Sequence, residues 1–159
     1  MSDDPQQIVV TQAQGDDVAV LAPLFDGYRV FYNQAPDRAA AQQFIGDRLA
    51  TNESVIFIAR LGDHAVGFTQ LFPSFSSVVM QRIWILNDLF VSTAARGQGV
   101  GEALLRRAEQ FARETQAKRL VLSTATDNIA AQRLYEKLGW QRDTVFFYYE
   151  LSIYSKNKE

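Results

Sequence analysis

The sequence has no cysteine in its 159 residues. That absence removes disulfide frameworks, thiolate zinc sites and cysteine nucleophiles together. A single histidine, His64, does nearly as much: no histidine cluster can hold a metal, and a serine-histidine-aspartate triad would have to use this one residue. No metal is expected. No stretch approaches the ~20 apolar residues that span a bilayer. The start, residues 1–5, is acidic where a signal peptide needs a basic and then an apolar run, so a cytoplasmic location is expected. Neither sign of charge dominates. With 16 Lys and Arg against 18 Asp and Glu, the net charge of −2 gives no electrostatic reason to expect nucleic acid or a membrane surface as partner.

What is present describes an ordinary globular chain. Hydrophobic residues make up 47% and charged residues 21%, which excludes a disordered or collagen-like protein. The length suits one domain of roughly 150 residues, so residues 1–159 are expected to form a single domain with a polar tail at about 155–159.

Residues 6–11 are rich in β-branched side chains and predict a short strand. Val18, Leu21, Phe25, Tyr28 and Tyr32 recur at three- and four-residue steps and define one helical face. Pro36 and Asp37 open a second helix with Ala41, Phe44, Ile45 and Leu49 inward. Residues 55–60 and 65–72 flank Leu61-Gly62-Asp63-His64, which predicts a hairpin with His64 as a solvated turn residue. Residues 73–77 are expected to form a small polar loop carrying Phe75, and residues 82–91 a long buried strand. Val100, Leu104, Ala108, Phe111 and Thr115 line a strong helix whose first turn holds Glu102. A strand follows at 118–124. A short helix is then capped by Asp127 or Asn128 and ended by Gly139, and residues 146–151 predict a closing strand. The order β, α, α, β, β, β, α, β, α, β defines an α/β domain. Hairpins demand antiparallel neighbours and the strand-helix-strand from 82 to 124 demands one parallel crossover, so the sheet should be mixed and mostly antiparallel.

Chemistry concentrates in Arg96-Gly97-Gln98-Gly99-Val100-Gly101, between a strand and a helix N-terminus. Glycines there let backbone N–H groups approach a ligand, and the helix start offers unpaired donors at positive potential, which suits a phosphate or pyrophosphate. Arg96 adds a full charge. The alternative is a loop whose glycines only let the helix pack close to the sheet. No Gly-Lys-Ser/Thr follows, which excludes a P-loop. Glu102 stands where the dinucleotide fingerprint needs its third glycine.

Arg96-x-x-Gly99-x-Gly101, after the strand ending Leu89-Phe90-Val91 and followed by Asn128 and residues 131–139, resembles the acetyl-CoA site of the GNAT N-acetyltransferases. The order of elements resembles that family over roughly the whole chain, with the strongest matches between Trp84 and Trp140. The texture around residues 28–34 and 84–91 is similar to the branch holding diamine acetyltransferases and fungal histone or amino-acid acetyltransferases. The resemblance implies a GNAT-like domain whose mixed sheet splays between its central strands to admit acetyl-CoA. It implies that backbone amides of Leu89, Phe90 and Val91 orient the acetyl carbonyl and pantetheine arm. Arg96, Gly97, Gln98, Gly99, Val100, Gly101 and Glu102 would hold the pyrophosphate. Asn128 and Ala131 would contact the cofactor, although Asn128 is equally a helix cap.

By the same resemblance Tyr135 is the general acid, protonated at neutral pH because its ordinary pKa is about 10. The alternative is a helix-face aromatic in the core. Where the diamine branch has a glutamate before an aspartate, this chain has Asn87-Asp88. Asp88 therefore inherits the candidacy for base, against a purely capping carboxylate or deprotonation by solvent. The acceptor is expected to meet Tyr28, Arg29, Tyr32, Phe75 and Asn87. Arg29 replaces a glutamate of the diamine branch, which points away from polyamines and toward a small amine bearing a carboxylate or neutral group. Tyr28 and Tyr32 also fit a helix core face. The leading expectation is an acetyl-CoA-dependent N-acetyltransferase acting by direct attack of a small primary amine, as a homodimer. The alternatives are a protein or peptide N-acetyltransferase, a non-catalytic acyl-CoA sensor and a nucleotide-binding module.

Overall fold

The computed structural model describes residues 7–154. The acidic start, the polar tail and Gln6 of the predicted opening strand lie outside the described residues. The chain divides into two compact units, one ending at Ser123 and the other beginning at Thr124.

A five-stranded sheet carries the first unit, its strands side by side in chain order: β1 (Ile8–Gln12), β2 (Val55–Leu61), β3 (His64–Ser76), β4 (Gln81–Val91) and β5 (Leu120–Val121). The first three pairings are antiparallel and β4 with β5 is parallel. The sheet is therefore mixed, as the hairpin and crossover spacings require. Helices α1 (Val18–Phe31) and α2 (Arg38–Ala50) follow β1, and α3 (Val100–Glu114) makes the crossover. Asp37 caps α2 by accepting from the Ala40 amide at 3.0 Å. On one side of the sheet Leu21, Phe25, Ile45, Ile56, Ile58 and Phe68 form a buried cluster. On the other, Phe111 of α3 packs on Phe57 and Trp84 at 5.6 and 4.9 Å between ring centroids. The Trp84 indole N–H donates to Thr115 Oγ1 at 2.9 Å. Two inward expectations fail at the margin: Phe44 is 40% exposed, stacked on Phe25 at 5.6 Å, and Tyr32, the residue after α1 ends, is 50% exposed.

Gly67 sets how close α3 can lie. A Cβ there would fall 2.7 Å from the Phe90 carbonyl oxygen and 3.3 Å from both the Leu104 and Val100 side chains. Gly67→Ala is expected to cost about 1–3 kcal/mol, because backbone and helix must both move to admit one methyl. Thermal melting checks this, and an unchanged midpoint would show that the strand yields freely.

One irregularity decides what β4 presents. Leu71 pairs with Leu86 and Gln70 with Asp88, so Asn87 has no cross-strand partner. An extra residue inverts the side-chain alternation beyond it. Trp84 faces α3, whereas Asp88 and Phe90 face Tyr28 on α1.

The expected loop at residues 73–77 is instead largely strand, since β3 pairs with β4 as far as Ser76 opposite Gln81. Because β2 reaches only to the position opposite Leu71, Pro73 lies where its missing N–H breaks no ladder. The strand expected at 118–124 pairs only at Leu120 and Val121.

The second unit contains α4 (Ile129–Lys137). Asn128 caps it, accepting from the Ala131 amide at 3.2 Å. Gly139, at φ 94°, ends it: its N–H donates to the Glu136 carbonyl, and the Trp140 N–H donates to that of Tyr135. The closing strand expected at 146–151 does not form among the described residues. Asp143 Oδ1 accepts from the amides of Val145 and Phe146 at 2.8 and 3.1 Å, a turn rather than a ladder. A strand needs a neighbour, and α4 is the only regular element of this unit among the described residues.

Candidate active site

Asp88 is 5% exposed and sits on the bulged part of β4. Three donors surround its carboxylate. Gln70 Nε2 donates to Oδ2 at 2.7 Å, Asn87 Nδ2 to Oδ1 at 3.1 Å, and the Tyr28 hydroxyl donates as well. Burial pushes the Asp88 pKa above the usual carboxylate range, while the hydrogen bonds from Gln70, Tyr28 and Asn87 pull it partly back. A buried carboxylate with a raised pKa and fixed partners suits a proton acceptor. The Tyr28 ring is held edge-on to Tyr32 and Phe68 at 5.0 and 5.8 Å and by Phe90 at 6.1 Å. α1 thus lays an aromatic wall beside the carboxylate, extended by Phe31, whose ring is 5.3 Å from that of Tyr32.

β4 outruns its parallel neighbour. Pairing with β5 covers Trp84 and Ile85 only, so on that side residues 86–91, which include Leu89, Phe90 and Val91, have no strand partner among the described residues. A strand edge without a partner strand is what an extended amide-bearing arm can bond to, the Val91 carbonyl excepted, since it accepts from Arg96. Beyond a 3₁₀ turn at Thr93–Ala95, Gly97 and Gly99 take left-handed φ values of 77° and 86°. A Cβ on Gly97 would meet nothing within 4 Å, and one on Gly99 only an Ile8 methyl at 3.8 Å. Room thus lies beside Gly97 and Gly99, in the loop that leads into the first turn of α3, where the N–H groups of Val100, Gly101 and Glu102 have no intrahelical acceptor. This cradle fits a pyrophosphate. Arg96 braces it, its Nε donating to the Val91 carbonyl at 3.1 Å and its guanidinium lying 5.3 Å from the Phe31 centroid. Gln98 donates to the Ala94 carbonyl at 3.3 Å, and Glu102 is paired with Arg106 at 2.9 Å.

Gly99→Ala and Gly101→Val are expected to weaken acetyl-CoA binding by about 10- to 100-fold, the worth of one or two charge-assisted hydrogen bonds. Gly99→Ala also places a side chain in the left-handed region. Calorimetric titration, with a melting curve to show an intact fold, checks this. Unchanged affinity in both variants would remove the cradle from cofactor binding.

Of the expected acceptor residues, Tyr28 and Asn87 meet Asp88 directly. Arg29 bonds Asp26 at 2.9 Å and the Ala35 carbonyl at 3.1 Å, and Asp26 accepts in turn from the Asp37 amide, so Arg29 staples the α1 to α2 connection. Phe75 lies far along β3, 67% exposed, with the Arg82 guanidinium 4.6 Å from its ring centroid. His64 is exposed at the hairpin, as expected. In the second unit Ala131 and Tyr135 lie one helical turn apart on α4, with Asn128 as its cap. The Tyr135 ring is 6.0 Å from that of Trp140. Among the described residues no group of acidic or histidine side chains could hold a metal ion, and no helix is long and apolar enough to cross a membrane.

Sequence reasoning missed Ser54, Thr69 and Gln70. The signal was there: two adjacent polar residues interrupt the apolar run of β3, and polar groups in a buried strand must find partners.

A sheet that parts beside a glycine loop at a helix N-terminus, with a buried carboxylate on the parted strand, is the framework of an acyl-CoA-dependent transferase. Residues 21–140 match the model of the acetyltransferase (GNAT) family. The chain is 48% identical over 147 residues to an uncharacterized N-acetyltransferase, YhfO, of Bacillus subtilis, covering 92% of this chain and 99% of that one. It is 35% identical to a probable acetyltransferase of Haemophilus influenzae, over 89% and 96% of the two chains. A crystal structure of a probable acetyltransferase, 42% identical, superposes with a TM-score of 0.88 over 93% of this chain and 99% of that one. The chain belongs to the GNAT family and is an N-acetyltransferase. GNAT acetyltransferases use acetyl-CoA.

Proposed function

We propose that this enzyme transfers acetyl from acetyl-CoA to the primary amine of a small molecule by direct attack, with Asp88 as base and Tyr135 as acid. The observation that carries the reading is Asp88 itself: buried, supplied with three donors and set beside the aromatic wall of α1. Acetyl-CoA, when bound, supplies an acetyl group activated as a thioester. The glycine loop and first turn of α3 hold its pyrophosphate, and the open edge of β4 at Leu89 to Val91 grips its arm and receives the developing negative charge on the carbonyl oxygen. Asn128 and Ala131 serve the same cofactor. Asp88 takes the proton of the acceptor ammonium, and Tyr135 Oη carries the proton given to the departing sulfur. With no cysteine in the chain, a thiol acyl-enzyme has no residue to form on.

The acceptor contacts Tyr28, Tyr32 and Asn87. Relative to the diamine branch, Arg29 and Asn87 remove two carboxylates. The acceptor is therefore a small amine with a neutral or carboxylate-bearing group rather than a polyamine. Because Arg29 is already paired with Asp26, its effect on charge preference is modest, on the order of tenfold. Comparing kcat/KM for polyamines with that for amino acids and amino alcohols tests this. A wild type preferring polyamines contradicts it, and Arg29→Glu is expected to narrow the gap.

We further propose a cytoplasmic homodimer. Phe146, Phe147, Tyr148 and Tyr149 are 79%, 89%, 89% and 87% exposed, four consecutive aromatic side chains of the kind a second copy would cover. Sedimentation is expected to give a dimer that Phe147→Asp weakens. A monomeric wild type would end the proposal.

A further inference from the structure

Gln70 lies fully buried in the middle of β3, where an unpaired amide would be costly. Both ends of its side chain are occupied, and in a fixed sense. Ser54 Oγ, itself only 6% exposed, donates to Gln70 Oε1 at 2.8 Å, while Gln70 Nε2 donates to Asp88 Oδ2 at 2.7 Å. Reversing the amide would point its oxygen at the carboxylate, acceptor against acceptor. One residue earlier, Thr69 Oγ1 donates to the Asp88 backbone carbonyl at 2.8 Å. Both the main chain and one carboxylate oxygen of Asp88 are therefore tied to β3. The other oxygen, Oδ1, faces Asn87, the bulged and exposed residue of β4.

We propose that Gln70, oriented by Ser54, is a positioning residue that anchors Asp88 through Oδ2 and leaves Oδ1, on the Asn87 side, as the proton-accepting atom. This rests on the reading of Asp88 as base. One proton passes from the acceptor ammonium to Oδ1, the amine nitrogen keeps its lone pair for attack, and the carboxyl later returns the proton to water. The groups meeting Asp88 are Gln70 from β3, Asn87 from β4 and Tyr28 from α1, with Ser54 from the segment before β2 behind Gln70; none of them is a carboxylate or a cation. The charged pair of α1, Arg29 with Asp26, is closed on itself. Donors to a carboxylate favour its ionised form, so losing one raises the pH at which Asp88 becomes protonated.

The test is the pH dependence of kcat/KM for wild type, Gln70→Leu, Ser54→Ala and Asp88→Asn. Gln70→Leu keeps the volume and removes the donor. Its acidic limb is expected to move up by roughly one to two pH units, the worth of a hydrogen bond to a charged group. KM for acetyl-CoA should stay within about twofold, since Gln70 touches nothing in the cradle. Ser54→Ala should move the limb the same way by less, and it carries the test alone if Gln70→Leu does not fold. A folded Gln70→Leu or Ser54→Ala with an unmoved limb overturns the positioning role while leaving Asp88 as base. If Asp88→Asn keeps the wild-type limb, Asp88 is not the base and the inference falls with that reading.

Discussion

Asp88→Asn is expected to lower kcat/KM by roughly 10²- to 10⁴-fold at neutral pH, the usual span for a lost general base, with acetyl-CoA affinity unchanged. An amide of the same shape cannot take a proton, so turnover then waits for amine already neutral in solution. The deficit should shrink as pH rises toward the pKa of the acceptor, where solvent does the work of the carboxylate. Burial raises the Asp88 pKa, so in the wild type the base form is lost as pH falls through a value above the ordinary aspartate range. The stability consequence has the opposite sense. A carboxyl whose pKa is raised by folding adds stability below its unfolded pKa, and that contribution is lost as pH rises through the folded one. Asp88→Asn removes the burial penalty on the charge but turns an N–H toward one of the donors from Gln70, Asn87 and Tyr28, so its midpoint should stay close to that of the wild type. Pairing activity with melting separates a lost base from a damaged core. An equal deficit at every pH, or a collapsed midpoint, would assign Asp88 a structural role.

Tyr135→Phe is expected to lower kcat by roughly 10- to 10³-fold, less than a full general-acid effect because water can reach a departing thiolate. The loss is expected in kcat with KM nearly constant, since the hydroxyl acts only once charge develops on sulfur. Stability should hardly change. The ring is half-buried against Trp140, and Phe preserves that contact. Wild-type turnover from neutral to alkaline pH would make Tyr135 a packing residue.

Much of this site was legible in residue order. The glycine loop, the caps at Asp37 and Asn128, the glycine stop at 139 and the α3 stripe follow from local rules, because each depends on residues within one turn of one another. The bulge at Asn87 was not legible. The polar pair Asn87-Asp88 interrupts the apolar run of Trp84 to Val91, but residue types alone do not say which of the two drops out of the alternation. That inversion brings Asp88 to Gln70 and Tyr28, so the network around the base was hidden with it. Arg29 was placed on the acceptor side from one departure in a resemblance; its pairing with Asp26 is local to α1, whereas its hold on the Ala35 carbonyl depends on the α1 to α2 turn. The missing closing strand has the same origin: residues 146–151 have strand composition, but pairing is a property of neighbours.

The most direct test of the account is to identify the product. Wild-type enzyme is incubated with acetyl-CoA and a panel of small amines and peptides, and both protein and small molecules are weighed by mass spectrometry. The expected result is one N-acetylated small amine per CoA released, with the protein mass unchanged. Acetylation confined to peptides, or an acetylated protein that passes its group on, would contradict direct transfer to a small amine.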